Sequence, residues 1–235
     1  MTDLETSAPA EGIDEVEGEA AVAGGRRGLV VVLAGFIAVA VVAAAVALGY
    51  AWGNGGSGGT TIPSLSSVDV GFARDMSVHH GQAVTMASYE RDNTGDPAMK
   101  VLAYDIEGQQ TFQIGEMQGW LDTWGYPLLN PSPMAWMAGH GHLQSDGLMP
   151  GMASPAEINK LETLHGKALD VDFLQLMIRH HQGGIPMAQY AALHGQSSYV
   201  RQLAQAMVNA QSSEIISMEQ ALRSLGGSPL PAPDH

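Results

Sequence analysis

Two stretches of this 235-residue chain carry side chains that could do chemistry. Residues 76–89, MSVHHGQAVTMASY, and 177–190, MIRHHQGGIPMAQY, share one skeleton: methionine, two residues, a histidine doublet, five residues, Met-Ala, one residue, tyrosine. On a helix, residues three and four apart lie on one face. Met76 therefore reaches His79 and His80, and Met177 reaches His180 and His181; Met86 and Met187 continue the same stripes. Thioether sulfur beside imidazole nitrogen is a donor set for soft ions, Cu(I) first and Ag(I) next. The plainer account makes the methionines core filler and the histidines hydrogen-bonded core residues. A single pair would favour that account. Two pairs at equivalent positions, each with a methionine at chelating spacing, favour metal.

A third cluster lies between them, in MAWMAGHGHLQSDGLMPGM, residues 134–152. Met134, Met137, Met149 and Met152 accompany His140 and His142 in a segment too rich in Gly and Pro to be one helix. Loop methionines have less reason to be core than helical ones, so these six are further candidate ligands. His140 and His142 could also take Cu(II) through two imidazoles. The plainer account is a methionine-rich flap over the end of the fold.

The elements that position these residues follow from an internal match. Shifted by 101 residues, positions 69–125 align with 170–226 without a gap, at 16 identities in 57 positions. Such self-similarity reads as a duplication. Each copy reads as two helices. In the first, Ser66 to Asp69 resembles a capping box, and apolar spacing runs to about Tyr89. Asp96 caps the next helix with Pro97 at its first position, and Gly125 ends it. In the second copy Ser197 stands in the place of Asp96, and Gly226-Gly227 ends the last helix. A short helix opens at Ser154-Pro155-Ala156-Glu157 and is expected to end or bend at Gly166. The expected fold is all-α: two helical hairpins pairing as a four-helix bundle about a pseudo-two-fold axis. Phe72, Met76, His79, Ala83, Met86 and Glu90 form one inward stripe, with Phe173, Met177, His180, Gly184 and Met187 as its partner. Gly183 and Gly184 permit close backbone approach. Pro186 removes a hydrogen bond to the Gln182 carbonyl and is expected to kink the helix beside the second doublet.

The chain around this domain bounds its setting. Residues 28–52 are apolar and uncharged, long enough to cross a bilayer as a helix. Arg26 and Arg27 precede them and no base follows until Arg74, which places residues 1–25, acidic and expected to be disordered, in the cytoplasm. The expectation is a single-pass anchor in the cell membrane, a flexible linker at 53–65, an extracytoplasmic domain at 66–226 with a Met/Pro-rich connection at 126–169, and a tail at 227–235. A cleaved signal peptide ending near Ala45-Val46-Ala47 is the alternative. A net charge of −14 argues against a nucleic-acid partner. With no cysteine, disulfides and thiolate sites are excluded.

The double motif, with Met149-Pro150-Gly151-Met152 before its second copy, resembles the family called domain of unknown function 305. The resemblance covers about residues 66–226. It implies a ferritin-like four-helix fold and, because some members look like periplasmic copper- or silver-binding proteins, metal handling. The chain departs from ferritin-like di-iron enzymes. Its one Glu-x-x-His run, Glu162 to His165, lies outside both copies of the repeat, and Glu116 and Glu214 face Ser217 and Gln113 at the equivalent positions. The favoured function is copper sequestration or delivery by a membrane-anchored protein, with a metal donor or acceptor protein, or a membrane complex, as partner. The alternatives are a non-catalytic assembly module docking on a membrane complex, and a metal-dependent redox enzyme. No nucleophile motif supports the last.

Overall fold

The structure is a computed structural model that describes residues 62–233. The acidic tail, the apolar segment 28–52, most of the linker and the last two residues lie outside those described. Among the described residues no helix is long and apolar enough to cross a membrane.

The described chain is all helical. Helix α1 (Val68–Asn93) and helix α2 (Pro97–Trp124) form one hairpin. After a 3-10 turn at Ala135–Met137 and the short helix α3 (Pro155–Leu161), α4 (Lys167–His194) and α5 (Ser198–Ser224) form the second. α1 packs on α2 and α4 on α5, and the hairpins meet through α1 and α4, giving a helical bundle.

Local chemistry sets the boundaries. Ser67, not Ser66, caps α1, its hydroxyl accepting from the Val70 amide at 3.3 Å. The expected box with Asp69 does not form. Asp69 is buried and accepts instead from the amides of Gln196 and Ser197, both at 2.8 Å. That long-range grip replaces a local cap, since the Ser197 side chain makes no capping bond to α5. Asp96 and Pro97 start α2 as expected, and Gly125 ends it at φ 74°, a left-handed conformation glycine adopts without a Cβ clash. The Ser154/Glu157 capping box forms at α3. That helix stops at Leu161, however, and Gly166 (φ 56°) begins α4 rather than ending α3. Pro186 sits inside α4, which runs unbroken past it to His194.

Both expected inward stripes are buried, Glu90 included. The core divides into two apolar clusters. One holds Phe72 and Met76 of α1 with Met187 and Ala188 of α4. The other holds Ala83 and Met86 of α1 with Phe173 and Met177 of α4. The inner helices are thus antiparallel. Between the clusters lies a polar layer of His79, His80, His180, His181, Gln110, Gln113 and Gln211, all buried.

Candidate metal centre

The histidine doublets meet where α1 crosses α4. The rings of His79 and His180 stack with centroids 3.8 Å apart. His80 and His181 flank them, at 6.4 Å from His79 and 6.3 Å from His180. Small residues make the crossing possible: a Cβ on Gly184 would stand 3.2 Å from Cε1 of His79.

Each imidazole is pinned by Nε2. His79 Nε2 donates to the Pro150 carbonyl at 3.0 Å, and His180 Nε2 to the His79 carbonyl at 3.0 Å. His80 Nε2 donates to Gln113 Oε1 at 2.7 Å, and His181 Nε2 to Glu214 Oε2 at 2.7 Å. The carbonyls of Pro150 and His79 have no proton to give, so in His79 and His180 the ring proton sits on Nε2 and Nδ1 keeps its lone pair. All four Nδ1 atoms are buried, and none has a hydrogen-bond partner. Buried polar atoms are nearly always paired, so these four orphans, which share the layer with the unpartnered side-chain oxygens of Gln110 and Gln211, call for an explanation. Burial, the largest cause, lowers His79 to about 4 and His80 to about 3, and drops His180 well below the usual imidazole range; neighbouring imidazoles push the same way. These three rings are neutral near pH 7. A neutral imidazole fixed through one nitrogen and bare at the other is the form that binds metal.

The sulfur atoms divide across the layer. Met76 and Met187 lie on one side and Met86 and Met177 on the other, all fully buried. The arrangement is therefore not one ring of eight donors, because antiparallel packing sends Met76 and Met177 to opposite clusters. Among the described residues no group of three or more His, Asp or Glu side chains is disposed to hold an ion. What the layer offers is imidazole Nδ1 atoms without hydrogen-bond partners, with thioethers in the apolar clusters on either side, donor types that suit soft cations.

The connecting segment is built differently from the sequence expectation. Met134, Met137, Met149 and Met152 are buried in the first apolar cluster, whereas His140 and His142 are exposed. The six residues do not form one ligand group. Their burial follows from packing on α1: Trp136 meets Phe72 edge-on at 6.0 Å and leaves no room for a Cβ at Gly71. Met134 and Met137 nonetheless converge beneath Gly141, where a Cβ would lie 2.6 Å from the Met137 sulfur. Asp75 anchors this segment, accepting from the Met134 amide (2.7 Å), Trp136 Nε1 (2.8 Å) and Asn130 Nδ2 (2.7 Å). It holds Met134 at φ 68°, beside Ala138 at φ 49°, two left-handed conformations that cost a non-glycine residue energy.

The Met149–Met152 strap seals the centre. Its Pro150 carbonyl receives His79, and the strap lies against Gly183, whose missing Cβ would overlap that carbonyl. Gln82 ties the strap end by two bonds with the Ala153 backbone, at 2.8 and 2.7 Å.

From the sequence, Pro150 stands out only as part of the Met-Pro-Gly-Met motif, Gln82 carries no signal, and Glu214 and Gln113 stand out only as non-identical counterparts across the repeat. Both of the latter lie 33 residues past the doublet member they hold. That shared spacing was the available signal.

A helical bundle with a buried histidine layer defines a class of domain rather than an activity. The family described as domain of unknown function, DUF305, matches residues 69–222, and the chain belongs to that family. A crystal structure of a DUF305 protein from Streptomyces coelicolor is 44% identical, with a TM-score of 0.66 over 72% of this chain and 98% of that one. A DUF305 fragment from Deinococcus radiodurans is 32% identical, with a TM-score of 0.56 over 67% of this chain and 96% of that one. CopM in its Cu(I)-bound form is 25% identical, with a TM-score of 0.54 over 68% of this chain and 98% of that one. No curated protein matches the chain.

Proposed function

We propose that this protein binds copper outside the cytoplasm, holding Cu(I) for sequestration or delivery, with Ag(I) as a second possible cargo. The observation that carries the reading is the set of four buried, unpartnered Nδ1 atoms on pinned imidazoles, flanked on both sides by buried methionines. Kinship with CopM, whose structures include Cu(I)- and Cu(II)-bound forms, supports copper as the ion. His79, His80, His180 and His181 are the proposed nitrogen donors, with Met76, Met86, Met177 and Met187 as the sulfur donors. Met134 and Met137, which converge beneath Gly141, are further proposed sulfur donors. Residues 28–52 anchor the chain in this reading, and the two hairpins descend from one duplicated ancestor. Neither a second reading as an assembly module nor one as a redox enzyme has a specific feature of the site in its favour.

The test is a Cu(I) titration of the full chain against a competing chelator. Binding tighter than micromolar, lost when all four core histidines become alanine, is the expected result. Binding weaker than micromolar, or unchanged in that variant while its helical content is retained, overturns the proposal.

A further inference from the structure

The inner members of the doublets, His79 and His180, bond different backbone carbonyls, whereas the other two, His80 and His181, are held at equivalent points by different side chains. His80 and His181 stand 101 residues apart, each donating Nε2–H over 2.7 Å to a side-chain oxygen 33 residues further on. For His80 that oxygen belongs to the neutral amide of Gln113, and for His181 to the carboxylate of Glu214. Both rings are fully buried, and both leave Nδ1 bare. The difference is a formal charge in contact with one imidazole only.

That charge has two physical effects. A carboxylate accepting from Nε2–H draws the ring toward imidazolate character and makes Nδ1 the better electron donor, which an amide does more weakly. A cation entering a layer of neutral groups also needs a counter-charge nearby, since an isolated buried charge is costly. Among the described residues Glu214 is the only carboxylate hydrogen-bonded to any of the four imidazoles. Its charge is felt elsewhere too, because Asp105 is raised by burial first and by Glu214 second.

We propose that Glu214 is the residue that makes the two arms of the centre unequal: it positions His181 and supplies its counter-charge, so the His181 arm is the primary anchor for a soft monovalent cation and the His80 arm, backed by Gln113, is the secondary one. This rests on the copper-binding reading above and adds which arm holds the ion.

The experiment uses the full chain, Cu(I) as probe, and three variants: Glu214→Gln, Gln113→Glu and the double exchange. Loss of a partner at this position typically costs roughly 10- to 100-fold in affinity, and that is the fall expected for Glu214→Gln. Gln113→Glu alone strengthens binding, and the double exchange restores it to within about threefold of the parent by moving the strong arm to His80. ¹⁵N NMR of the copper-free protein gives a second readout. Both rings show the Nε2–H form, and the His181 Nε2 proton resonance, far downfield in the parent, moves upfield in Glu214→Gln. A parent that binds no Cu(I) defeats the copper reading and this inference with it. A parent that binds tightly while Glu214→Gln binds equally well, or a His181 proton found on Nδ1, defeats this inference alone. Glu214→Gln that unfolds is decided by Gln113→Glu, whose unchanged affinity would overturn the proposal.

Discussion

Substituting Gly183 with alanine tests the strap directly. A methyl group there would overlap the Pro150 carbonyl and stand 2.6 Å from the Gly151 amide. Both are backbone atoms, with no flexible side chain to swing aside. The turn must move, and with it the acceptor for His79 Nε2–H. Leaving that buried donor unpaired costs about 1–3 kcal/mol. Overpacking a tight contact adds about 1–3 kcal/mol. Alanine returns up to about 1 kcal/mol of helix propensity. The net loss centres on about 3 kcal/mol, and a domain this size loses about 2–4 °C of melting temperature per kcal/mol. Thermal unfolding followed by circular dichroism should therefore show a drop of about 6–12 °C. Two neighbours serve as controls. At Gly184 the nearest obstacles are the Gln211 side-chain oxygen at 2.9 Å and His79 Cε1 at 3.2 Å, and the corresponding residue 101 earlier is the buried Ala83. Gly184→Ala should cost no more than about 1 kcal/mol, since the Gln211 side chain can give way. Nothing lies within 4 Å of a Cβ at Gly81, so Gly81→Ala should stabilise by about 0.5–1 kcal/mol. If Gly183→Ala melts with the parent, or the three variants rank differently, the packing argument for the strap is wrong.

Stability should peak near pH 6.5. His79, His80 and His180 are lowered from 6.5, so the folded state binds fewer protons than the unfolded chain, and stability is lost as pH falls below 6.5. Glu90, fully buried, is raised from 4.5 to about 8, chiefly by burial and then by Asp170. Its contribution is complete below 4.5 and lost as pH rises through about 8, leaving Glu90 as the falling limb above 6.5. Denaturant melts of copper-free protein across this range should show the dome, and Glu90→Gln should flatten its alkaline side. Asp75→Asn removes the charge that accepts three hydrogen bonds and sets an amide NH₂ against their donors. It should cost about 2–4 kcal/mol and red-shift tryptophan emission as Trp136 loosens, and an unshifted spectrum would refute the anchoring role. Cu(I) at about 100 times its dissociation constant should stabilise the protein by about 2.7 kcal/mol, an effect absent when the four core histidines are alanine. Equal shifts in both proteins would place the ion elsewhere.

The sequence carried much of this layout because the informative residues act locally or at helical period. Asp96-Pro97, Gly125 and the Ser154/Glu157 box are short-range signals, and each sits where expected. The inward stripes and the meeting of the doublets follow from spacing plus the match at 101 residues. The failures are long-range. Asp69 looked like a cap because its partners, the amides of Gln196 and Ser197, are more than a hundred positions away. Gly166 reads equally well as a stop or a start, and only the packing of α4 decides. For the segment 134–152 the sequence leaves a ligand cluster and a methionine-rich flap both open, and the contacts that fold its methionines onto α1, through Asp75 and Gly71, are long-range. The direction in which α1 crosses α4, which parts Met76 from Met177, has no local signature.

Asp69 has a mirror image whose effect reaches past any single site. Asp170, its counterpart 101 residues on, accepts from the hydroxyl of Thr94 at 2.7 Å in the turn of the first hairpin. Each hairpin thus finishes the other's bend with an acid from its own leading helix. Neither half, expressed separately, would possess a complete turn. The halves should melt as one cooperative unit, and severed fragments should regain structure only on mixing. Amide exchange at Gln196 and Ser197 should report the opening of the whole domain rather than the fraying of a loop.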